Sequence, residues 1–232
     1  MENNNLNIVI ISGAGLSQPA LDVYRSDNNP NALWNLNDFY ELAHPNGWSK
    51  NRARVNEFYN YRRQKNKEAE PTNAHYAITK LQEFFSNTYH VTQNVDSLAE
   101  KAGNVNLYHV HGELMKIRDE VTQNEFYWED DWHDHMRTPD NGTGRPAVVW
   151  FTETTRHMKE SKELCKEADL ILVIGTSLNV APCSNLVFGS PRSKIKLFNT
   201  EYNNFYSKEQ QYIGPADETV TKYVDELIAQ YS

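Results

Sequence analysis

Residues 6–11 (LNIVII) form an almost unbroken apolar run rich in β-branched side chains, and it leads straight into Ser12-Gly13-Ala14-Gly15-Leu16-Ser17. A strand with no polar face has no side to show water. It belongs inside a parallel sheet covered on both faces. Residues 169–174 (DLILVI) repeat the pattern and end in Gly175-Thr176-Ser177. Two such runs narrow the chain to an α/β architecture with helices on both sides of the sheet.

Further strands are predicted at 89–92, 106–110, 146–151 (PAVVWF) and 194–198 (KIKLF). Helices are predicted at 36–42, 55–65, 156–168 and 220–228. Another opens at Pro71-Thr72-Asn73 and carries the apolar stripe Ile78, Leu81, Phe84 and Phe85, with His75 near its start as a packing or capping residue. About six strands alternate with helices, and most end in polar or glycine-rich turns. Such turns at corresponding strand ends point to an extended ligand laid along the sheet edge. The fold class expected is a Rossmann-like parallel sheet flanked by helices, with a smaller inserted module.

The chain of 232 residues is long enough for that core and a module. No apolar run approaches the roughly 20 residues of a membrane span. Nothing basic precedes the first apolar run, so no signal peptide is expected. With Cys165 and Cys183 as the two cysteines, no disulfide framework is visible and a cytoplasmic setting is expected. A net charge of −8 argues against binding nucleic acid through its phosphates.

Residues 92–112 (TQNVDSLAEKAGNVNLYHVHG) hold the densest polar chemistry. Thr92, Gln93, Asn94 and Asp96 follow one strand, and a second delivers His111 beside Gly112. Imidazole titrates near operating pH, which suits a catalytic base. This combination predicts an enzyme that consumes a dinucleotide. Gly13 and Gly15 after a strand would let backbone approach a pyrophosphate, with a following helix N-terminus supplying donors. The third glycine of the usual fingerprint is missing, and an ordinary turn reads as well. Tyr24-Arg25 would clamp a cofactor or lie in a surface loop. Glu201 after the 194–198 strand would hold ribose hydroxyls. Tyr59 and Arg62 stand at i, i+3 on a helix, and spacing alone favours a solvated face. Residues 113–144 read as the least regular segment; Asp119, His133 and His135 in it offer weak metal ligation against a solvated excursion.

Gly13-Ala14-Gly15-Leu16-Ser17, Thr92-Gln93-Asn94-Val95-Asp96, His111-Gly112, Val148 to Glu153 (VVWFTE), Gly175-Thr176-Ser177 and Asn199-Thr200-Glu201 occur here in the order found in the sirtuins. Over nearly its whole length the chain resembles these NAD-dependent protein deacylases, most of all the bacterial and mitochondrial class III members. The resemblance implies NAD as cofactor, with Gly13, Ala14 and Gly15 at the pyrophosphate and Tyr24 and Arg25 in the cofactor loop. Gln93, Asn94 and Asp96 would surround the nicotinamide ribose; Gly175, Thr176, Ser177, Asn199, Glu201 and Ala216 would hold the adenosine half. His111 and Asn94 would be catalytic, His111 as base toward a ribose hydroxyl. Val149 and Phe151, in an extended segment, would pair with the backbone of an acylated lysine on a protein substrate. Tyr59 and Arg62 would bind the carboxylate of a succinyl or malonyl group.

The implied activity is desuccinylation or demalonylation with some deacetylation, releasing nicotinamide and O-acyl-ADP-ribose. A sirtuin-like NADase or ADP-ribosyltransferase is the alternative, because the same pocket activates the same bond. The chain departs from the family in two places. Four zinc-binding cysteines are usual between the His-Gly pair and the VVWF strand, and none is present, with Asp119 where the first would stand. Zinc is therefore expected to be absent. Residues 18–23 (QPALDV) also differ from the familiar cofactor loop. The implied division is 1–34, 72–112 and 145–232 for the NAD-binding domain, with 35–71 and 113–144 as the small module.

Overall fold

β1 (Ile8–Ser12) is buried along its whole length. Ile8 and Ile10 enter one core and Val9 and Ile11 another, which is why the strand carries no polar face. Each such side chain taken out of water contributes about 2 kcal/mol. The computed structural model describes residues 6–22, 38–176, 185–187 and 190–232.

After β1 the chain runs through α1 (Phe39–Leu42), α2 (Pro45–Lys50), α3 (Arg52–Glu68), α4 (Asn73–Phe84), β2 (Thr88–Thr92), α5 (Leu98–Lys101) and β3 (Leu107–His109). It continues through β4 (Gly112–Asp119), β5 (Glu125–Tyr127), β6 (Gly144–Val148), α6 (Met158–Glu167), β7 (Leu170–Ile174), β8 (Ile195–Asn199), β9 (Gln211–Ile213) and α7 (Ala216–Tyr231). The main sheet is wholly parallel in the order β3-β2-β1-β7-β8-β9. Chain direction across the sheet reverses between β1 and β7, the place where such sheets bind ligands. Ile78 and Leu81 of α4 and Val220 and Val224 of α7 cover one face. Cys165 of α6, with Leu186 and Val187, packs on the other.

β4, β5 and β6 form a second, antiparallel sheet in the order β5-β4-β6. Two expectations are corrected here. Residues 113–144 are not irregular throughout, and the strand expected at 146–151 ends at Val148 and pairs with β4 instead of joining the parallel sheet. The register shifts between Gly112 and Ile117, and this irregularity breaks the alternation by which β4 would be recognised. A third core unites Leu42, Trp48, Val55, Phe58 and Tyr59 with Leu114, Val148 and Trp150. His75 acts as a cap: its Nδ1 accepts from the Thr72 N–H at 3.2 Å at the start of α4.

The module around 113–144 is closed by side chains. Trp132 is fully buried and its indole N–H donates to the Gly144 carbonyl at 3.1 Å. Buried Arg63 reaches from α3 to Asn60 Oδ1 at 2.8 Å and to the carbonyls of Asp130 at 3.0 Å and Leu114 at 3.3 Å. Desolvation lowers the Arg63 guanidinium to about 10, against the pull of Asp131 and Asp130. Asp119 accepts from the N–H groups of Val121 at 2.8 Å and Thr122 at 2.9 Å, and from the Thr138 hydroxyl. Residues 113–144 contain no cysteine, so they offer no thiolate ligands, and Asp119 is engaged by hydrogen bonds inside the module. His133 and His135 stack on each other at 5.7 Å in an exposed position. Among the described residues, the three potential metal ligands whose donor atoms lie within 4.8 Å of one another are Glu100, His109 and Glu113, so Asp119, His133 and His135 are not gathered.

Candidate active site

Parallel strands bring the carboxyl ends of β1, β2, β3, β7 and β8 to one edge. At the reversal, the loops after β1 and β7 meet backbone to backbone. Gly13 N–H donates to the Ile174 carbonyl at 3.0 Å, Gly15 N–H to the Gly175 carbonyl at 2.9 Å, and Gly175 N–H to the Phe198 carbonyl at 2.8 Å. A Cβ on Gly15 would stand 2.7 Å from Gly175 Cα, and one on Gly175, whose φ is +60°, 2.4 Å from the Leu16 nitrogen. Only glycine fits either place. The expected helix after the glycines is instead a four-residue 3-10 turn, Ala14–Ser17. So short a turn offers little dipole, and it carries Leu16 and Ser17 inward.

The amides of β2's end are tied to this crossing. Gln93 Nε2 donates to Thr176 Oγ1 at 3.1 Å and to the Ser12 carbonyl at 3.4 Å. Asn94 Nδ2 donates to the Gly13 carbonyl at 3.1 Å and to Ser17 Oγ at 3.0 Å. Ser17 Oγ donates in turn to Asp96 Oδ2 at 3.0 Å, while Asp96 Oδ1 caps α5 through the Leu98 N–H at 3.2 Å. The structure thus gathers Gly13, Gly15, Gln93, Asn94, Asp96, Gly175 and Thr176. Asn199 ends β8 and accepts the Gly214 N–H through its carbonyl at 3.0 Å, Glu201 is exposed two residues on, and Ala216 is buried at the start of α7. Tyr24, Arg25 and Ser177 lie outside the described residues.

His111 is half-buried just past β3, its Nδ1 3.0 Å from the Gln93 carbonyl. A carbonyl only accepts, so Nδ1 carries the proton and Nε2 the lone pair. Burial lowers the His111 pKa, with the Gln93 hydrogen bond opposing. The ring is therefore neutral and basic near neutral pH. Gly112 makes the tight exit with φ +79°, where a Cβ would meet the Ala147 carbonyl oxygen at 2.1 Å.

Two further histidines escaped the sequence reading. His109 is buried on β3, with Nδ1 2.8 Å from the Asn94 carbonyl and Nε2 2.9 Å from Glu100 Oε1. Both neighbours accept, so the ring is an imidazolium. Burial works to lower its pKa, but the hydrogen bond and charge of Glu100 outweigh it and the pKa is raised. Its signal was the spacing His109-Val110-His111, two imidazoles at the end of β3 and just past it. His90, inside β2, stands 2.8 Å from Ser12 Oγ and 2.8 Å from Asn104 Oδ1. Desolvation drives its pKa down to about 3.

Tyr59 and Arg62 are not on a solvated face: they retain 4% and 7% of their exposure, Tyr59 inside the third core. The indole N–H of Trp150 donates to Tyr59 Oη at 3.0 Å. Val149 and Phe151 flank that tryptophan, but the segment is not extended. Glu153 N–H closes a turn onto the Trp150 carbonyl at 3.0 Å, and Thr152 has φ +77°. The N–H of Val149 donates to the His111 carbonyl at 2.8 Å, and that of Phe151 to the Ala43 carbonyl at 2.9 Å. These donors serve the protein's own backbone, so the segment differs from an open strand edge.

A family model described as "Sir2 family" matches residues 13–182. An NAD-dependent protein deacylase of Helicobacter pylori is 40% identical over 182 residues, 78% of each chain. The NAD-dependent protein deacylase SIR2rp3 of Leishmania major is 35% identical and spans 96% of each. A solved Sir2 homolog–NAD complex superposes with a TM-score of 0.83 at 28% identity, covering 97% of this chain and 90% of that one. A mutant Sir2 homologue in complex with ADP ribose gives 0.84 at 28% identity, over 97% and 92%.

Proposed function

The chain belongs to the Sir2 family, and from that premise we propose that it is an NAD-dependent protein-lysine deacylase acting on acidic acyl groups such as succinyl and malonyl. The observation that carries the deacylase reading is the attachment of Gln93 and Asn94 to the glycine crossing at the sheet reversal, with His111 held on the Gln93 carbonyl. The site fits a dinucleotide. The glycines draw the loops after β1 and β7 together at the sheet reversal, and Asn199, Glu201 and Ala216 lie at the neighbouring end of β8 and α7 for the adenosine half.

When bound, NAD supplies the labile nicotinamide–ribose bond that makes the ribose an electrophile toward the acyl-lysine oxygen. The protein's part is placement and proton transfer. Both Asn94 side-chain N–H groups point at loop oxygens, so a ligand would meet the Oδ1 acceptor. Asp96, held by Ser17, places negative charge where a ribose ring would carry positive charge in the transition state. With Nδ1 turned to the Gln93 carbonyl, His111 Nε2 would serve as the base toward a ribose hydroxyl. Tyr59 and Arg62 supply a phenol and a guanidinium in a desolvated core, where a substrate carboxylate would be strongly held. The small module is read as metal-independent, held by Trp132, Arg63 and Asp119.

Mass spectrometry of succinyl-, malonyl- and acetyl-lysine peptides incubated with NAD tests the assignment. Loss of the acyl group with nicotinamide release is expected, fastest for the acidic chains. No NAD-dependent loss of any of them refutes deacylation. Nicotinamide release of equal rate without peptide would instead assign the chain as an NADase or ADP-ribosyltransferase.

A further inference from the structure

Three polar side chains stand among the apolar ones inside the main sheet. Ser12 ends β1, and His90 and Thr92 lie on the same face of β2; all three are buried. Ser12 is the register partner of Thr92 across the two strands. Apolar residues there would serve the fold as well, since burying a polar group costs free energy until it is hydrogen-bonded. The bonds these residues make run in one direction and end in the candidate site.

That direction is set at Asn104. Its Nδ2 donates to the His75 carbonyl at 3.1 Å and to Thr79 Oγ1 at 2.7 Å, so its Oδ1 faces His90 Nδ1 at 2.8 Å. An amide oxygen only accepts, and Nδ1 therefore carries the ring proton. Burial keeps the ring neutral, which leaves the lone pair on Nε2. Ser12 Oγ lies 2.8 Å from that lone pair and 2.8 Å from Thr92 Oγ1. A hydroxyl has one proton to give. The Ser12 proton goes to Nε2, and Ser12 Oγ then accepts the proton of Thr92. Thr92 Oγ1 in turn accepts the Asn94 N–H at 3.1 Å. With its backbone fixed there, Asn94 turns Nδ2 to the Gly13 carbonyl at 3.1 Å and to Ser17 Oγ at 3.0 Å.

We propose that His90, Ser12 and Thr92 are positioning residues for Asn94, a hydrogen-bonded chain that fixes from inside the sheet the turn presenting Asn94 to the ribose of NAD. The inference rests on the reading of Asn94 as part of the nicotinamide-ribose pocket. It assigns part of that pocket's geometry to side chains that lie behind it.

The test measures kcat and KM for nicotinamide release with NAD and succinyl- or acetyl-lysine peptides, together with melting temperature. The proteins are the wild type, T92V, T92S, S12A, H90N, N94A and the doubles S12A/T92V and S12A/H90N. One neutral hydrogen bond corresponds to roughly a five-fold effect. T92V, nearly isosteric, is expected to lower kcat by about that factor with the peptide KM unmoved. T92S keeps the hydroxyl and is expected to retain most of the wild-type kcat. S12A and H90N act through Thr92. S12A is therefore expected to add no loss of kcat to T92V, and H90N none to S12A, although H90N still lowers the melting temperature. An unchanged kcat in T92V, equal losses in T92V and T92S, or additive losses in either double overturns the inference. The Ser12 and Thr92 variants decide it even where H90N does not fold. An unchanged kcat in N94A overturns the reading of Asn94 beneath it, whereas an impaired N94A beside an unaffected T92V overturns the chain alone.

Discussion

His90 makes a strong demand on pH. Its ring is fully enclosed in β2, 2.8 Å from Ser12 Oγ on one side and Asn104 Oδ1 on the other, and desolvation holds its pKa near 3 in place of 6.5. In the unfolded chain the ring takes a proton as pH falls below about 6.5, and in the folded chain it does so only near 3. Folded stability is therefore lost progressively as pH falls between those values. The slope is about 1.4 kcal/mol per pH unit for one proton, so His90 alone removes about 2 kcal/mol between pH 6.5 and pH 5. Ser12 also contacts Thr92, whose hydroxyl accepts the Asn94 N–H at 3.1 Å, so the strain of a forced proton would reach the site.

The perturbation is His90→Asn, which keeps a polar side chain and removes the titration. Urea unfolding at pH 7, 6 and 5 gives the slope directly. The variant is expected to be less stable at pH 7, through two lost hydrogen bonds, yet to lose about 2 kcal/mol less than the wild type on going to pH 5. His75 and His111, whose pKa values are also lowered, contribute equally to both proteins and cancel. Parallel stability–pH curves for the two proteins would refute the claim that His90 is held neutral.

Glu100→Gln acts in the opposite window. His109 has a raised pKa, so its ion pair with Glu100 contributes full stability below about pH 6.5 and loses it as pH rises through the folded value. The wild type is expected to lose more melting temperature than E100Q between pH 6 and pH 9, and equal losses would remove the imidazolium assignment. His111→Ala is expected to lower kcat by about 10²–10⁴-fold. In the wild type, the acid limb of kcat/KM is expected below about 6.5, since burial lowers the His111 pKa; a limb above that value contradicts the buried neutral base. Incubation with a strong chelator is expected to leave the melting temperature unchanged, whereas Asp119→Asn lowers it. A chelator-dependent drop in scanning calorimetry would show a structural metal.

What the sequence made legible follows from where the physics is local. β1 and β7 were readable because burial on both faces leaves an unmistakable apolar run. Gly13, Gly15 and Gly175 were readable because close backbone approach admits one residue type. β4 was not, since the register shift after Gly112 destroys its period. β6 looked like an interior parallel strand because an apolar run says nothing of its partner. Tyr59 and Arg62 show the same gap from the other side, as their spacing suits a wet helix face and a buried one alike. The family resemblance raised the pair, and the burial of both residues is what the structure adds. His90 was invisible because an isolated histidine carries no pattern, and the His109-Val110-His111 spacing does not say which ring is charged; only the partners Asn104 and Glu100 reveal His90 as neutral and His109 as charged.

The glycine crossing has a consequence for how this protein tolerates change. The segments after β1 and β7 are separated by most of the chain, yet neither has room for a single methyl group against the other. A bulkier residue in one is acceptable only if the other retreats, and the other is bonded onward to β8. Variants at Gly15 and Gly175 should therefore be selected as pairs or not at all. A library randomising either loop alone should return glycine, while one randomising both searches the only combinations this seam permits.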